Sequence, residues 1–144
     1  MKTQIPNFSS WTMLLVDDDS DNLALIAHTL AYYKMQVYCA KSGEEALRLL
    51  DTIERPLKAI LSDISMPGMD GSQLRREIRS RPNTNHIAII AITAHAMKGD
   101  AERFTSAGFD GYISKPIPEP PILLRMLLTY VKQYADKIKE IEHV

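Results

Sequence analysis

An α/β fold around a parallel sheet is the class this sequence predicts, and two patterns predict it. Short apolar runs recur at a fairly even interval: Met13–Val16, Gln36–Ala40, Ala59–Ser62, Ile87–Thr93 and Gly111–Ser114. The segments between them carry the apolar spacing of helices, and strands alternating with helices in units of roughly twenty residues are the pattern of βα repeats. The runs Met13–Val16 and Ile87–Ile92 are apolar throughout, as strands covered on both faces require. Gln36–Ala40 is more mixed and suits an edge.

The helices follow in order. Leu23, Ile26, Ala27 and Leu30 fall at i, i+3, i+4 and i+7, so the first helix has one apolar face. Ser42 with Glu45 three residues later is a capping box opening the second, with Ala46, Leu47 and Leu50 inward. Asp70 with Gln73 starts the third, which carries Leu74 and Ile78. The fourth runs from Lys98 to Ala107, with Gly108 just past its end. Its inward face is thin: Ala101, Phe104 and Ala107. The fifth begins near Pro120 or Pro121, where proline is tolerated in the first turn.

Composition narrows the class further. The 144 residues suit one domain, and a chain of this length buries roughly 68% of its unfolded surface without disulfides or metal. Hydrophobic residues make up 45% and charged residues 24%, an ordinary globular balance. A net charge of −1 gives little long-range attraction to nucleic acid or anionic lipid. Cys39 has no second cysteine to pair with, so a reducing cytoplasm is expected. No apolar run approaches the ~18–20 residues of a membrane span, and Met1–Thr12 lacks the apolar core of a signal peptide. The expected division is an arm over 1–12, a domain over 13–134 and a helical extension over 135–144.

In open parallel sheets, ligands bind beyond the carboxyl ends of the strands. Strand 1 is followed by Asp17-Asp18-Asp19, strand 3 by Asp63, strand 4 ends in Thr93-Ala94 and strand 5 in Lys115-Pro116. These groups meet at one edge of the sheet. Two unit charges ~4 Å apart repel by about 4 kcal/mol at an effective dielectric of about 20. Either one carboxyl keeps its proton or a cation neutralises the group, and an oxygen-only ligand set suits Mg²⁺. A carboxylate beside a metal, a lysine and a hydroxyl is a candidate phosphoryl acceptor.

The set Val16-Asp17-Asp18-Asp19, Ser62-Asp63-Ile64-Ser65-Met66-Pro67-Gly68-Met69-Asp70-Gly71, Thr93-Ala94 and Gly111-Tyr112-Ile113-Ser114-Lys115-Pro116 resembles the receiver domain of two-component response regulators. The resemblance runs from Thr12 to about Tyr134. It implies a doubly wound (βα)5, flavodoxin-like sandwich with parallel sheet order 2-1-3-4-5. It implies Asp63 as the phosphoacceptor, served by a sensor histidine kinase or a histidine phosphotransfer protein. Asp18 and Asp63 become side-chain ligands of Mg²⁺, Asp17 holds metal-bound water, and Ser65, where the family often has Asn, lends its backbone carbonyl. Lys115 pairs with the carboxylate and then the phosphoryl oxygen, across a Lys115–Pro116 bond that is usually cis. Thr93 moves to the phosphoryl group and Tyr112 swings into the space it leaves. This couples the site to the face made by the fourth helix, the fifth strand and the fifth helix, the usual surface for a downstream protein target.

Other readings stand beside this one. An Mg²⁺-dependent phosphohydrolase could use Asp17 as nucleophile and Asp19 as general acid, but no insertion is long enough for a substrate cap and Asp63 is left unexplained. A degenerate receiver acting as a binding scaffold is opposed by the complete acid pair, acceptor, threonine and lysine. One aspartate of the triplet can be a helix cap. His95 receives no role, Cys39 reads as a small strand residue, and Trp11 covers the lower sheet edge or the amino-terminal arm.

Leu124, Leu127, Val131, Tyr134, Ile138 and Ile141 follow an a/d spacing. The first three pack the last helix on the sheet; the last three lie beyond the usual domain edge. That tail either frays or forms a homodimer or docking contact. Nothing after the receiver-like part is large enough for an output domain. The expectation is a stand-alone response regulator that signals through protein contacts and acts on no outside metabolite, beyond its own phosphorylation and dephosphorylation.

Overall fold

Five strands form one parallel sheet: β1 (Thr12–Val16), β2 (Gln36–Ala40), β3 (Ala59–Asp63), β4 (Ala88–Thr93) and β5 (Gly111–Ser114). Their order is β2-β1-β3-β4-β5, as expected. The computed structural model describes residues 7–94 and 107–142. Four helices are described: α1 (Ser20–Tyr32), α2 (Gly43–Leu50), α3 (Gly71–Ser80) and α4 (Pro120–Glu142). Apart from Ala107, the helix expected over Lys98–Ala107 lies outside the described residues. Gly108 has φ +96°, a left-handed conformation that favours glycine.

Successive strand residues point to opposite faces, so each strand feeds two cores. Met13, Leu15, Leu61, Ile90 and Ile92 pack under Leu23, Ile26 and Leu30 of α1 and Leu123, Leu124 and Leu127 of α4. Leu14, Val16, Ile60, Ile89 and Ala91 pack under Ala46 of α2 and Leu74 and Ile78 of α3. β2 is an edge strand with only Ala40 fully buried.

The caps follow the sequence with one shift. The Asp70 carboxylate accepts from Gln73 N–H at 2.9 Å, and the Gln73 side chain accepts from Asp70 N–H at 3.0 Å. At α2, Ser42 accepts from Glu45 N–H at 3.1 Å, but Glu45 accepts from Lys41 N–H at 3.4 Å instead of from the cap residue. Only half of that capping box forms. Ala46 is buried as expected, while Leu47 and Leu50 are half-buried.

At the amino-terminal pole of the strands, Phe8 and Trp11 join the α1/α4 core as an edge-to-face pair 4.9 Å apart. Lys58 Nζ lies 5.4 Å above the Trp11 ring. At the same pole Arg79 reaches from the end of α3 to Asp110, with Nη2–Oδ2 at 2.6 Å, and lies 5.5 Å above the Tyr134 ring. This seat corrects one expectation. Tyr134 packs against the core and is not part of the overhang, because Arg79 wraps around the sheet edge to meet it.

Candidate functional site

Strand register builds the site. Val16 is paired with Ser62, so Asp17 and Asp63 leave β1 and β3 at the same level. Asp63 is in register with Ile92, and Thr93 with Ser114, so Lys115 leaves β5 one step further on. Lys115 N–H donates to the Thr93 carbonyl at 2.8 Å, and the Lys115–Pro116 bond is cis.

Asp17 is buried. Its Oδ1 accepts from Asp19 N–H at 2.9 Å. Its Oδ2 has no hydrogen-bond partner and lies 3.4 Å from Lys115 Nζ, a charge contact without hydrogen-bond geometry. Asp63 is only 5% exposed. Its Oδ1 accepts from Ser65 N–H at 3.3 Å, and its Oδ2 lies 3.4 Å from the same Lys115 ammonium. Asp18 is exposed at the mouth. One oxygen from each of Asp17, Asp18 and Asp63 lies within 4.8 Å of the others. The sheet therefore collects two buried carboxylates and one exposed carboxylate around one half-buried ammonium.

The electrostatics follow from that crowding. Burial pushes the Asp63 carboxyl above its ordinary range and the Asp17 charge pushes it further; Lys115 and the Ser65 N–H oppose this without prevailing. Burial alone would lower Lys115, but the Asp63 and Asp17 carboxylates outweigh it and hold the ammonium above its ordinary value. The site has more negative charge than its lysine answers, and that excess favours a further cation.

The loop after Asp63 returns tightly. Gly71 N–H donates to the Ile64 carbonyl at 2.9 Å. A Cβ at Gly71 would stand 2.5 Å from the Asp63 carbonyl oxygen, so only glycine lets α3 begin this close behind the acceptor.

Asp17, Asp18, Asp63 and Lys115 thus converge as the sequence predicts. Thr93 is buried at the end of β4, and Ser65 is exposed just beyond Asp63. Tyr112 stands on β5 three residues before Lys115, half-buried against the α2/α3 core. His95 lies outside the described residues. Asp19, which the hydrolase alternative needs as general acid, is instead the cap of α1: its Oδ1 accepts from Asp21 and Asn22 N–H at 2.9 and 3.3 Å. The sequence reading missed Tyr130, whose hydroxyl donates to the Tyr112 carbonyl at 3.0 Å. Its only sequence signal is its place one turn before Tyr134. Among the described residues no helix is long and apolar enough to cross a membrane.

Comparison with known proteins places this geometry. The response regulator receiver domain model matches residues 13–127. The signal transduction histidine-protein kinase BarA of Escherichia coli K12 is 38% identical over 119 residues, covering 83% of this chain and 13% of BarA. Several related histidine kinases are far longer, and this chain spans 7% to 13% of their length. The receiver domain of the sensor histidine kinase PA1611 from Pseudomonas aeruginosa PAO1, solved with a magnesium ion coordinated in its active site cleft, superposes with a TM-score of 0.73 at 33% identity, covering 85% of this chain and 98% of that one. The chemotaxis protein CheY4 of Vibrio cholerae superposes with a TM-score of 0.75 at 26% identity, covering 83% of this chain and 98% of that one.

Proposed function

The chain belongs to the response regulator receiver domain family, and from that premise we propose that Asp63 accepts a phosphoryl group from a phosphohistidine on a sensor histidine kinase or histidine phosphotransfer protein. One observation carries this reading: two buried carboxylates, Asp17 and Asp63, share a single lysine at 3.4 Å, and one Asp17 oxygen has no hydrogen bond. A structural ion pair would be closed; this one is built to take something more.

In the transfer, an Asp63 carboxylate oxygen bonds to phosphorus as the P–N bond breaks. The electron pair leaves with the imidazole, whose other ring nitrogen already carries a proton, so the leaving group ends neutral. Lys115 is positioned to follow the negative charge from the carboxylate to the phosphoryl oxygens, and the Thr93 hydroxyl to donate to them. The three carboxylate oxygens fit Mg²⁺, being an all-oxygen set with an unmet acceptor. Asp17, Asp18 and Asp63, with the Ser65 backbone carbonyl, would hold it. Bound there, Mg²⁺ supplies positive charge that offsets the carboxylates and the incoming phosphoryl group. Tyr112 then moves inward, altering the face of β5 and α4 toward a downstream protein target. As further parts of the proposal, the chain acts as a stand-alone regulator and the overhang over 135–142 is a homodimer or docking contact. The chain turns over no outside metabolite.

Incubating the full chain with acetyl phosphate and Mg²⁺ tests this. The expected product is a single hydroxylamine-labile acyl phosphate, absent from Asp63→Asn. Multiple turnover of a phosphoester that survives Asp63→Asn overturns the reading.

A further inference from the structure

We infer that Tyr130 is a positioning residue that ties Tyr112 to the last two turns of α4, so that residues 135–142 report the state of Asp63. This rests on the phosphoacceptor reading above and adds an element to it.

Two contacts fasten β5 to one face of α4, and a third link runs from the residue before β5 through Arg79. The Tyr130 hydroxyl donates to the Tyr112 carbonyl at 3.0 Å. The Tyr130 ring lies directly on Gly111, where an added Cβ would stand 2.4 Å from the ring. Asp110, the next residue back, accepts from Ile89 N–H at 2.8 Å and holds Arg79 at 2.6 Å. Arg79 in turn lies 5.5 Å above the Tyr134 ring. Tyr130 and Tyr134, one turn apart on α4, therefore grip the consecutive residues 110, 111 and 112. A cavity of about 230 Å³ opens beside this grip, with Tyr112 on one wall and Tyr130, Gln133, Tyr134 and Lys137 on the other. Moving Tyr112 reshapes a space that lies between residues 109–112 on one side and α4 side chains on the other.

Beyond Tyr134 the helix has little else to hold it. Of residues 135–140, all are exposed except Ile138, which is half-buried. Such a segment sits at the low end of local stability, and its fraying follows how firmly the preceding turn is held. The tie at residues 130 and 134 is thus the point through which a displacement of β5 reaches the overhang.

Hydrogen exchange on the full chain, with and without beryllofluoride plus Mg²⁺ as a mimic of the acyl phosphate, tests the inference. In the wild type, exchange is expected to change over 111–114 and over 135–142 together. Tyr130→Phe keeps the ring and loses the hydroxyl. It should keep the response at 111–114 and lose it at 135–142, with basal exchange there faster by about fivefold, the factor one ordinary hydrogen bond supplies. Gly111→Ala, which displaces the ring, should uncouple in the same way. A wild type that responds at 111–114 but not at 135–142 overturns the inference, as does a Tyr130→Phe variant with the full wild-type response. If beryllofluoride changes nothing even around Asp63, the phosphoacceptor reading fails and the coupling falls with it.

Discussion

Two buried carboxylate–cation contacts stand at opposite poles of the same sheet, and they are built in opposite ways. At the amino-terminal pole, Asp110 meets Arg79 at 2.6 Å, and the same carboxylate oxygen accepts from Ile89 N–H at 2.8 Å. Arg79 also donates to the carbonyls of Asn85 and Ile87. There one cation meets one anion, with backbone donors and acceptors around them. At the carboxyl-terminal pole, one lysine faces two carboxylates at 3.4 Å, and one of their oxygens has no hydrogen bond. An incompletely answered buried charge costs stability, whereas a saturated pair mainly holds geometry. The first pole fastens β4, β5, α3 and α4 together, and the second keeps its capacity open for a ligand.

The sharpest way to break this comparison is to remove one member of the closed pair. Arg79→Met keeps the aliphatic stem but leaves Asp110 buried with a single backbone donor. Stability should fall by about 3 kcal/mol, the low end for an orphaned buried partner because the Arg79 side chain is 22% exposed. Urea unfolding followed by circular dichroism measures it. A loss no larger than that of a surface ion pair would mean the two poles do not differ as described.

That closed pole was also the less legible one. The strands and the convergence of Asp17, Asp63 and Lys115 can be read in advance, because buried parallel strands are apolar runs and each functional residue directly follows one; the strand order is what the family resemblance implies. Arg79 and Asp110 are 31 residues apart, and Arg75, Arg76, Arg79 and Arg81 look alike in sequence. Only the tertiary path of α3 past the sheet edge singles out Arg79. Phe8 was hidden for a similar reason: it stands in a polar stretch, and its burial depends on Trp11 and α1, which local pattern does not reveal. Tyr134 was assigned to the overhang because an a/d spacing does not say where a helix leaves its domain.

Divalent cation should distinguish the poles next. If the acidic pole is the open one, Mg²⁺ binds the folded state alone and stabilises it by about 2.7 kcal/mol at a hundredfold excess over its Kd. Asp18→Asn should reduce that gain and Asp63→Asn should abolish most of it, while Arg79→Met should leave it intact. Thermal unfolding across a Mg²⁺ titration reads all four proteins. Equal gains in wild type and Asp63→Asn would place the cation elsewhere.

A smaller effect comes from the acceptor itself. Burial and the neighbouring Asp17 raise Asp63 in the folded chain above its unfolded value. The folded state therefore holds that proton more tightly than the unfolded state does, and ionising Asp63 costs stability. The cost is absent below the unfolded carboxylate value. It grows as pH rises between the unfolded and folded values and is constant above them. Without divalent cation, Asp63→Asn should thus be more stable than wild type at neutral pH by about 1 kcal/mol, the scale on which active-site groups are held against stability. The advantage should vanish as pH falls through that window. Denaturant midpoints at several pH values measure it, and a variant less stable than wild type at neutral pH would reverse the sign argued for the open pole.

The smallest effect separates the closed pole from the overhang it borders. Ending the chain after Tyr134 removes two turns of α4 that are mostly exposed and leaves the tyrosine ring under Arg79. Ending it after Gln133 removes that ring as well, and with it a cation–π contact worth about 0.5–1 kcal/mol at a partly exposed site. The two truncations differ by one residue, so the difference between their unfolding midpoints isolates Tyr134 from the helix that follows it. A midpoint clearly lower for the shorter chain is expected. Identical midpoints would show that Asp110 and the Asn85 and Ile87 carbonyls hold Arg79 without Tyr134, and that the closed pole ends at β5.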